Sequence, residues 1–425
     1  MDIINTTPYR FHAFDFSTAP SRPALSLIVK GTFELRLGEP AAPVSKDDQE
    51  PLRGDEQHLD DLGRSLAHAT DLCPLKTRGE VLLHGHCHPE PGRPRVECDA
   101  GLDIGPIRKR LRVTGDRRLG PHGSIGAAQP FEKMPLRWEL AFGSLADARN
   151  PLGRGVDPWP TEQGAQAVLL PNIEHPEHRL KAPGDPSLPV GFGPIAPSWA
   201  PRSTRMGTRD ARWAAFRAPL PPVDFDPRAF NAAPDDQQLD DGCYFRGDET
   251  FTLLHVHPEV GSFGGALPGK RLRVFVSLRP AGGRPGGFVE VEMRLDTVRF
   301  DADAERVTLV WRRPFAVRAA GYPEIEAVYV AEEDLAEEPL SAATHEARYR
   351  ELKPEVEPDA AVGQAEIDAQ MEKAAEILSD GKVDPKVQAE LRSTKDPQEA
   401  LRLLVHQIEV KMKELAAMTA RLSSR

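Results

Sequence analysis

The stretch His84-Gly85-His86-Cys87-His88 holds the residues of this chain best suited to chemistry. On a β-strand alternate side chains share a face, so His84, His86 and His88 would present three imidazoles together. Three imidazoles with an open fourth position can hold a hydrolytic zinc ion, the chemistry of a metal-dependent hydrolase. No nearby Glu or Asp supplies an obvious outer partner or general base, and the run ends in Pro89. A strand end carrying exposed histidines is the simpler reading, and no metal site is expected there. His255-Val256-His257 repeats the pattern with only two histidines.

Asp235 and Asp236, in Pro234-Asp235-Asp236-Gln237-Gln238, could pair two carboxylates. Acids in a proline-rich turn more often cap a backbone or face water. Gly282-Gly283-Arg284-Pro285-Gly286-Gly287 lacks the lysine, hydroxyl and spacing of a phosphate-binding loop. No nucleophile elbow, HExxH helix or dinucleotide fingerprint is present, so neither catalytic nor cofactor-binding residues are expected. Cys73, Cys87, Cys98 and Cys243 contain no CxxC pair and are too few for a disulfide scaffold. Free thiols in a reducing compartment are the expectation.

Mostly strands must position these residues. In Ala24–Leu37, Phe33, Leu35 and Leu37 alternate with Glu34 and Arg36, the period of a half-buried strand. Further strands are predicted over 81–83, 107–113, 136–142, 251–256, 272–278, 288–295, 307–311 and 325–330. Between Pro151 and Pro234 lie 16 of the 41 prolines, which keeps regular structure short. Phe192, Ile195, Trp199, Trp213, Phe216, Phe225 and Phe230 are spread through that segment. It is therefore expected to wrap the body as ordered coil, its aromatic groups pinned into the core.

The period changes after Val330. Residues 331–360 read as an acidic linker broken by Pro339, Pro354 and Pro358, and 361–425 as a helical tail. Ile367, Met371, Ala374 and Leu378 recur at helical spacing, and Asp384-Pro385 and Asp396-Pro397 resemble helix starts. A last helix from Pro397 to about Leu422 would span roughly 39 Å. Its stripe of Leu401, Leu404, Ile408, Leu415, Met418 and Leu422 suits packing against another helix, and is the candidate partner-binding element. That neighbour could be the earlier helix, a second copy of the chain, or a partner protein.

The fold class expected is thus mainly β: a sandwich-like body over residues 1–330 with a long proline-rich wrapping coil, then a small helical tail. Of the formal charge of −11, residues from Ala331 onward carry −8, with 21 acidic and 13 basic groups. A near-neutral body with an acidic tail argues against nucleic acid as partner. No apolar run is long enough to span a membrane, and no signal peptide is visible, so a cytoplasmic protein is expected.

An ordered series of segments resembles the bacterial family of unknown function DUF2169. It begins with Asn5-Thr6-Thr7-Pro8, Val29-Lys30-Gly31-Thr32-Phe33 and Thr70-Asp71-Leu72-Cys73-Pro74-Leu75-Lys76, then Gly115-Asp116-Arg117. The run from Met134 to Gly143, Asn150-Pro151-Leu152-Gly153, Leu170-Pro171-Asn172-Ile173-Glu174 and Gly191-Phe192-Gly193-Pro194-Ile195 follow. Trp199-Ala200-Pro201-Arg202, Asp224-Phe225-Asp226, the run from Ala232 to Gln238, and Leu295-Asp296-Thr297-Val298 complete it. Members of that family are encoded beside the VgrG and PAAR spike proteins of type VI secretion systems. The resemblance implies an adaptor or chaperone, not an enzyme, that brings a toxin effector to the spike; it supplies no catalytic or ligand residues. A metal-dependent hydrolase at His84, His86 and His88 is the alternative. A carbohydrate-binding module of the envelope is disfavoured by the missing signal peptide.

Overall fold

The computed structural model describes residues 1–353 except 18–22, 91, 121–123, 156–167, 183–184, 186, 281–285 and 319–321. The strand Pro23–Glu34 pairs antiparallel with Arg306–Ala316 along eleven residue pairs, from Ala24 opposite Ala316 to Glu34 opposite Arg306. Around them a six-stranded sheet runs Arg10–Ser17, Pro23–Glu34, Arg306–Ala316, Arg294–Asp301, Glu80–His84, with Ala42–Pro43 also on Pro23–Glu34. Its last main pairing is parallel, with Glu80 opposite Thr297.

A second, five-stranded antiparallel sheet runs Ile173–Glu174, Ile107–Thr114, Glu97–Ile104, Thr250–Leu254, Ser262–Ala266. A third sheet of four strands runs Asp2–Asn5, Ile325–Asp334, Lys270–Leu278, Gly287–Val291. Buried side chains of all three sheets, such as Leu27, Val29, Leu102, Leu111, Val276 and Val328, join one apolar core. The fold is mainly β, with sandwich-like sheets.

Several local expectations change. Ser26 to Phe33 is buried on both faces, where a half-buried strand was expected. Leu25, Leu27, Val29 and Phe33 face the apolar core. On the alternate positions, Ser26 Oγ donates to Pro74 O at 2.8 Å and Lys30 Nζ to Asp71 at 2.8 Å, so residues 45–76 cover that face. Leu37 lies beyond the strand and is 55% exposed. The 136–142 stretch is not a strand; it contains a short 3-10 turn, Trp138–Leu140. Asn150 Nδ2 donates to Trp138 O at 2.8 Å and Phe142 O at 2.9 Å, satisfying carbonyls that a neighbouring strand would otherwise need to pair. The 288–295 run breaks into two strands of different sheets, separated at Glu292 and Met293.

The largest difference concerns residues 331–360, read from sequence as a linker. The strand begun at Ile325 runs on to Asp334, and helix α2 spans Ala342–Leu352. His345 and Tyr349 of α2 are buried against Phe275, Phe288 and Tyr329, with ring centroids 5.0 Å apart for Phe275–His345 and 5.2 Å for Phe288–Tyr349. Glu333 accepts from His345 Nε2 at 2.7 Å and from Arg273 Nη1 at 2.8 Å. The acidic residues that suggested a solvated linker include this anchor. The body therefore extends to Leu352.

Candidate functional site

The histidines lie where one strand ends. Gly85, at φ +149°, separates Glu80–His84 from the two-residue strand His86–Cys87, which pairs with Met134–Pro135. The three rings thus do not sit on one uninterrupted strand. His84 stacks on His58 with centroids 5.2 Å apart. His86 Nδ1 lies 2.6 Å from Asp303 Oδ2, and the His88 ring is 6.3 Å from that of His86. His257 Nε2 meets Glu305 at 3.1 Å. The carboxylate that sequence proximity did not offer His86 comes from the 301–306 turn, 217 positions away.

Burial shapes the electrostatics of this belt. Desolvation, then the charge of Arg137, lowers the His58 pKa to about 4. Burial likewise lowers His84 and His88, which favours neutral imidazoles. Burial pulls the Asp303 carboxyl upward, but its hydrogen bond with His86, together with the charges of His86, Lys133 and His84, outweighs this and leaves it below its ordinary value. His58, His84, Arg137, Trp138 and Arg299 line a small pocket beside the belt. Among the described residues these groups do not gather three ligand atoms at metal-binding separations.

Asp235 and Asp236 do not form a carboxylate pair with one task. Asp235 meets Arg205 at 3.1 Å, and Asp236 accepts from the buried Lys109 at 2.7 Å. Neighbouring Gln237 donates to Val81 O at 2.7 Å and Phe192 O at 3.0 Å. Glu80 binds Lys76 through one oxygen; its other accepts from the amides of Ala232 at 2.7 Å and Ala233 at 3.1 Å. Arg202 donates to Ile195 O and Ala229 O, and Arg117 pairs with buried Glu174 at 2.6 Å. The polar residues of these sequence segments fasten the wrapping coil to the sheets. Buried donors and acceptors favour partners, and here the contacts named pair them with one another.

One part of the coil does not wrap. Phe192, Ile195 and Trp199 are buried as expected, but Phe216 is 86% exposed, as is Val223. They belong to a projection over residues 207–224 that contains helix α1, Ala211–Phe216. At its neck, Thr208 donates its amide and hydroxyl to the Asp224 carboxylate, at 2.9 and 2.7 Å. Gly207 has φ +73°, and a Cβ there would lie 2.8 Å from Pro222. Within the projection, Asp210 caps α1 at the Trp213 amide, and Trp213 Nε1 donates to Leu220 O, both at 2.8 Å. Arg209 lies over the Trp213 ring. The projection is held from within while Phe216 and Val223 face water. Sequence counted Phe216 as a core aromatic, because composition alone does not say which way a proline-rich segment turns.

A further group escaped the sequence reading. His175, Glu177 and His178 bring three potential ligand atoms within 4.8 Å of one another. The His-Pro-Glu-His spacing across a turn was the available signal. The tail residues Leu401, Leu404, Ile408, Leu415, Met418 and Leu422 lie outside the described residues.

Among the described residues no helix is long and apolar enough to cross a membrane. Residues 21–312 match a family described as an uncharacterized protein conserved in bacteria, DUF2169. No curated protein and no solved structure matches the chain.

Proposed function

The chain belongs to this uncharacterised bacterial family, and from that premise we propose that it is a cytoplasmic type VI secretion adaptor. In this reading it binds a toxin effector and helps load it onto the VgrG or PAAR spike, and does no chemistry itself. The observation that carries the reading is the 207–224 projection. Large apolar side chains left in water on an internally braced loop lose little further freedom on binding, which suits a protein contact. Phe216 and Val223 are both 86% exposed, and the same projection carries Arg209, Arg212 and Arg217. The tail stripe from Leu401 to Leu422 is proposed as a second partner-binding element.

Buried polar side chains taken up by protein partners are in keeping with a scaffold. Glu80, Gln237, Arg202 and Glu174 each have protein partners that occupy them. The alternative, a metal-dependent hydrolase at His84, His86 and His88, has one contact in its favour, Asp303 on His86. It is weakened by the stacking of His84 on His58. Affinity capture of the full chain from its bacterial host separates the two readings. Toxin and spike proteins should co-purify with the adaptor, and replacing Phe216 and Val223 with Asp should release them.

A further inference from the structure

Residues 175–178 form a tight turn. The His178 amide donates to His175 O at 3.0 Å. Pro176 holds the second position of the turn, where its fixed φ is favourable. Both ends are rooted in the body. Glu174, fully buried, accepts from the Leu180 amide at 2.7 Å with one oxygen and from Arg117 at 2.6 Å with the other. On the far side Ser187 Oγ donates to His178 O at 3.2 Å.

From this fixed turn hang two imidazoles and a carboxylate. The rings of His175 and His178 have centroids 5.0 Å apart, and the ligand atoms of His175, Glu177 and His178 all lie within 4.8 Å of one another. Glu177 is exposed and has no cationic partner among the described residues. Arg179, two positions on, is engaged with Glu97 at 2.8 Å instead. Among the described residues, the polar contact made by a ligand atom within the group is the Glu177 amide donating to His175 Nδ1 at 3.2 Å. A neutral ring whose Nδ1 accepts carries its proton on Nε2, so ligation gives up this contact, either to free Nδ1 itself or to move the proton there and free Nε2.

We propose that His175, Glu177 and His178 form a surface site for a borderline transition-metal dication, best represented by Zn2+. Imidazole donors select such ions, whereas Ca2+ and Mg2+ require oxygen ligands. Ligand atoms about 2.0–2.1 Å from a tetrahedral zinc lie roughly 3.4 Å apart, so closure asks only for about 1–1.5 Å of side-chain movement. Two of the three side chains are exposed and free to make it. Three protein ligands leave a fourth position open to water or to an incoming donor. The site is separate from the histidine belt and does not depend on the adaptor reading.

The test is Zn2+ titration of the chelator-treated full chain, followed by calorimetry and equilibrium dialysis. Wild type should bind one equivalent that Mg2+ and Ca2+ do not displace. His175→Ala/His178→Ala should lose that equivalent while its metal-free melting curve matches wild type. His86→Ala/His88→Ala should retain it. A wild type that binds no Zn2+ overturns the proposal. So does retention by the turn variant, or loss from the His86/His88 variant. Should the turn variant melt differently from wild type, Glu177→Gln, an exposed change, provides the same comparison and should weaken binding at least tenfold.

Discussion

Lys76 Nζ and Glu80 Oε1 lie 2.6 Å apart with both side chains almost wholly withdrawn from water. The pair ties the six-stranded sheet to the wrapping coil, because the second Glu80 oxygen holds the amides of Ala232 and Ala233. Burial raises the Glu80 carboxyl, but Lys76 and these donors outweigh it, and the group stays ionised below its ordinary value.

Glu80→Gln should therefore be costly. It strands the Lys76 charge and weakens the hold on residues 231–233, a loss of about 3–5 kcal/mol for a broken buried pair. Urea unfolding measures the cost, and hydrogen exchange should rise first in residues 231–238. A change below ~1 kcal/mol would show that the coil is held elsewhere.

Acid sensitivity should originate partly at His68. Its ring is buried; desolvation, then the charge of Arg299, lowers its pKa to about 3. In the unfolded chain the group titrates near ~6.5, so between the two values the unfolded state binds a proton that the folded state does not. This contribution to stability is complete above about 6.5 and is lost as pH falls toward 3, with a magnitude on the order of 4 kcal/mol. Asp71 and Glu50, held below their ordinary values despite burial by Lys30 and Arg299 respectively, add acid losses at lower pH. Comparison is cleanest between pH about 6.5 and 4.5, above the ordinary carboxylate range. There His68→Phe should lose stability less steeply than wild type. Parallel curves would mean that His68 is not buried neutral.

The boundary of the body can be tested by truncation. A chain ending at Lys353 should melt cooperatively. One ending at Val330 should not, because it removes the end of a central strand, Glu333 and the aromatic cover of α2. Thermal melting followed by near-ultraviolet circular dichroism distinguishes them. Equal cooperativity in both would return the boundary to Val330, where the acidic linker was read to begin.

Much of this architecture was legible because alternation and β-branching reflect local physics. The strands at 24–34, 107–113, 272–278 and 307–311 were readable from their own residues. The Glu97–Ile104 strand was not, since Asp99, Gly101 and Asp103 break its apolar pattern; Asp103 pairs with Arg110 across the hairpin. Likewise Lys30 and Lys109 are charged residues in the interior, stabilised by partners distant in sequence. The helix α2 was hidden by its acidic surroundings and weak amphipathicity. Asp303 could not be assigned to His86, nor Phe216 to the surface, because both facts depend on how distant segments are brought together or turned away.

The tail can be tested separately from the body. Ile408→Asp/Leu415→Asp should leave the melting of the body unchanged while reducing partner recovery. Each buried Leu or Ile lost from an interface is worth about 1.5–3 kcal/mol. Unchanged recovery would mean that the stripe is not the contact.

The most direct measurement of the adaptor reading is quantitative affinity capture of the full chain from its bacterial host. Wild type, Phe216→Asp/Val223→Asp and a control substitution at exposed Leu145, Leu145→Asp, should be compared. All three should melt within about 0.5 kcal/mol of one another, as exposed substitutions do. The account predicts that a toxin and a VgrG or PAAR protein co-purify with wild type and the control, and that the double variant recovers at least tenfold less. Equal recovery by all three proteins, or a wild type that brings down neither toxin nor spike, would contradict it.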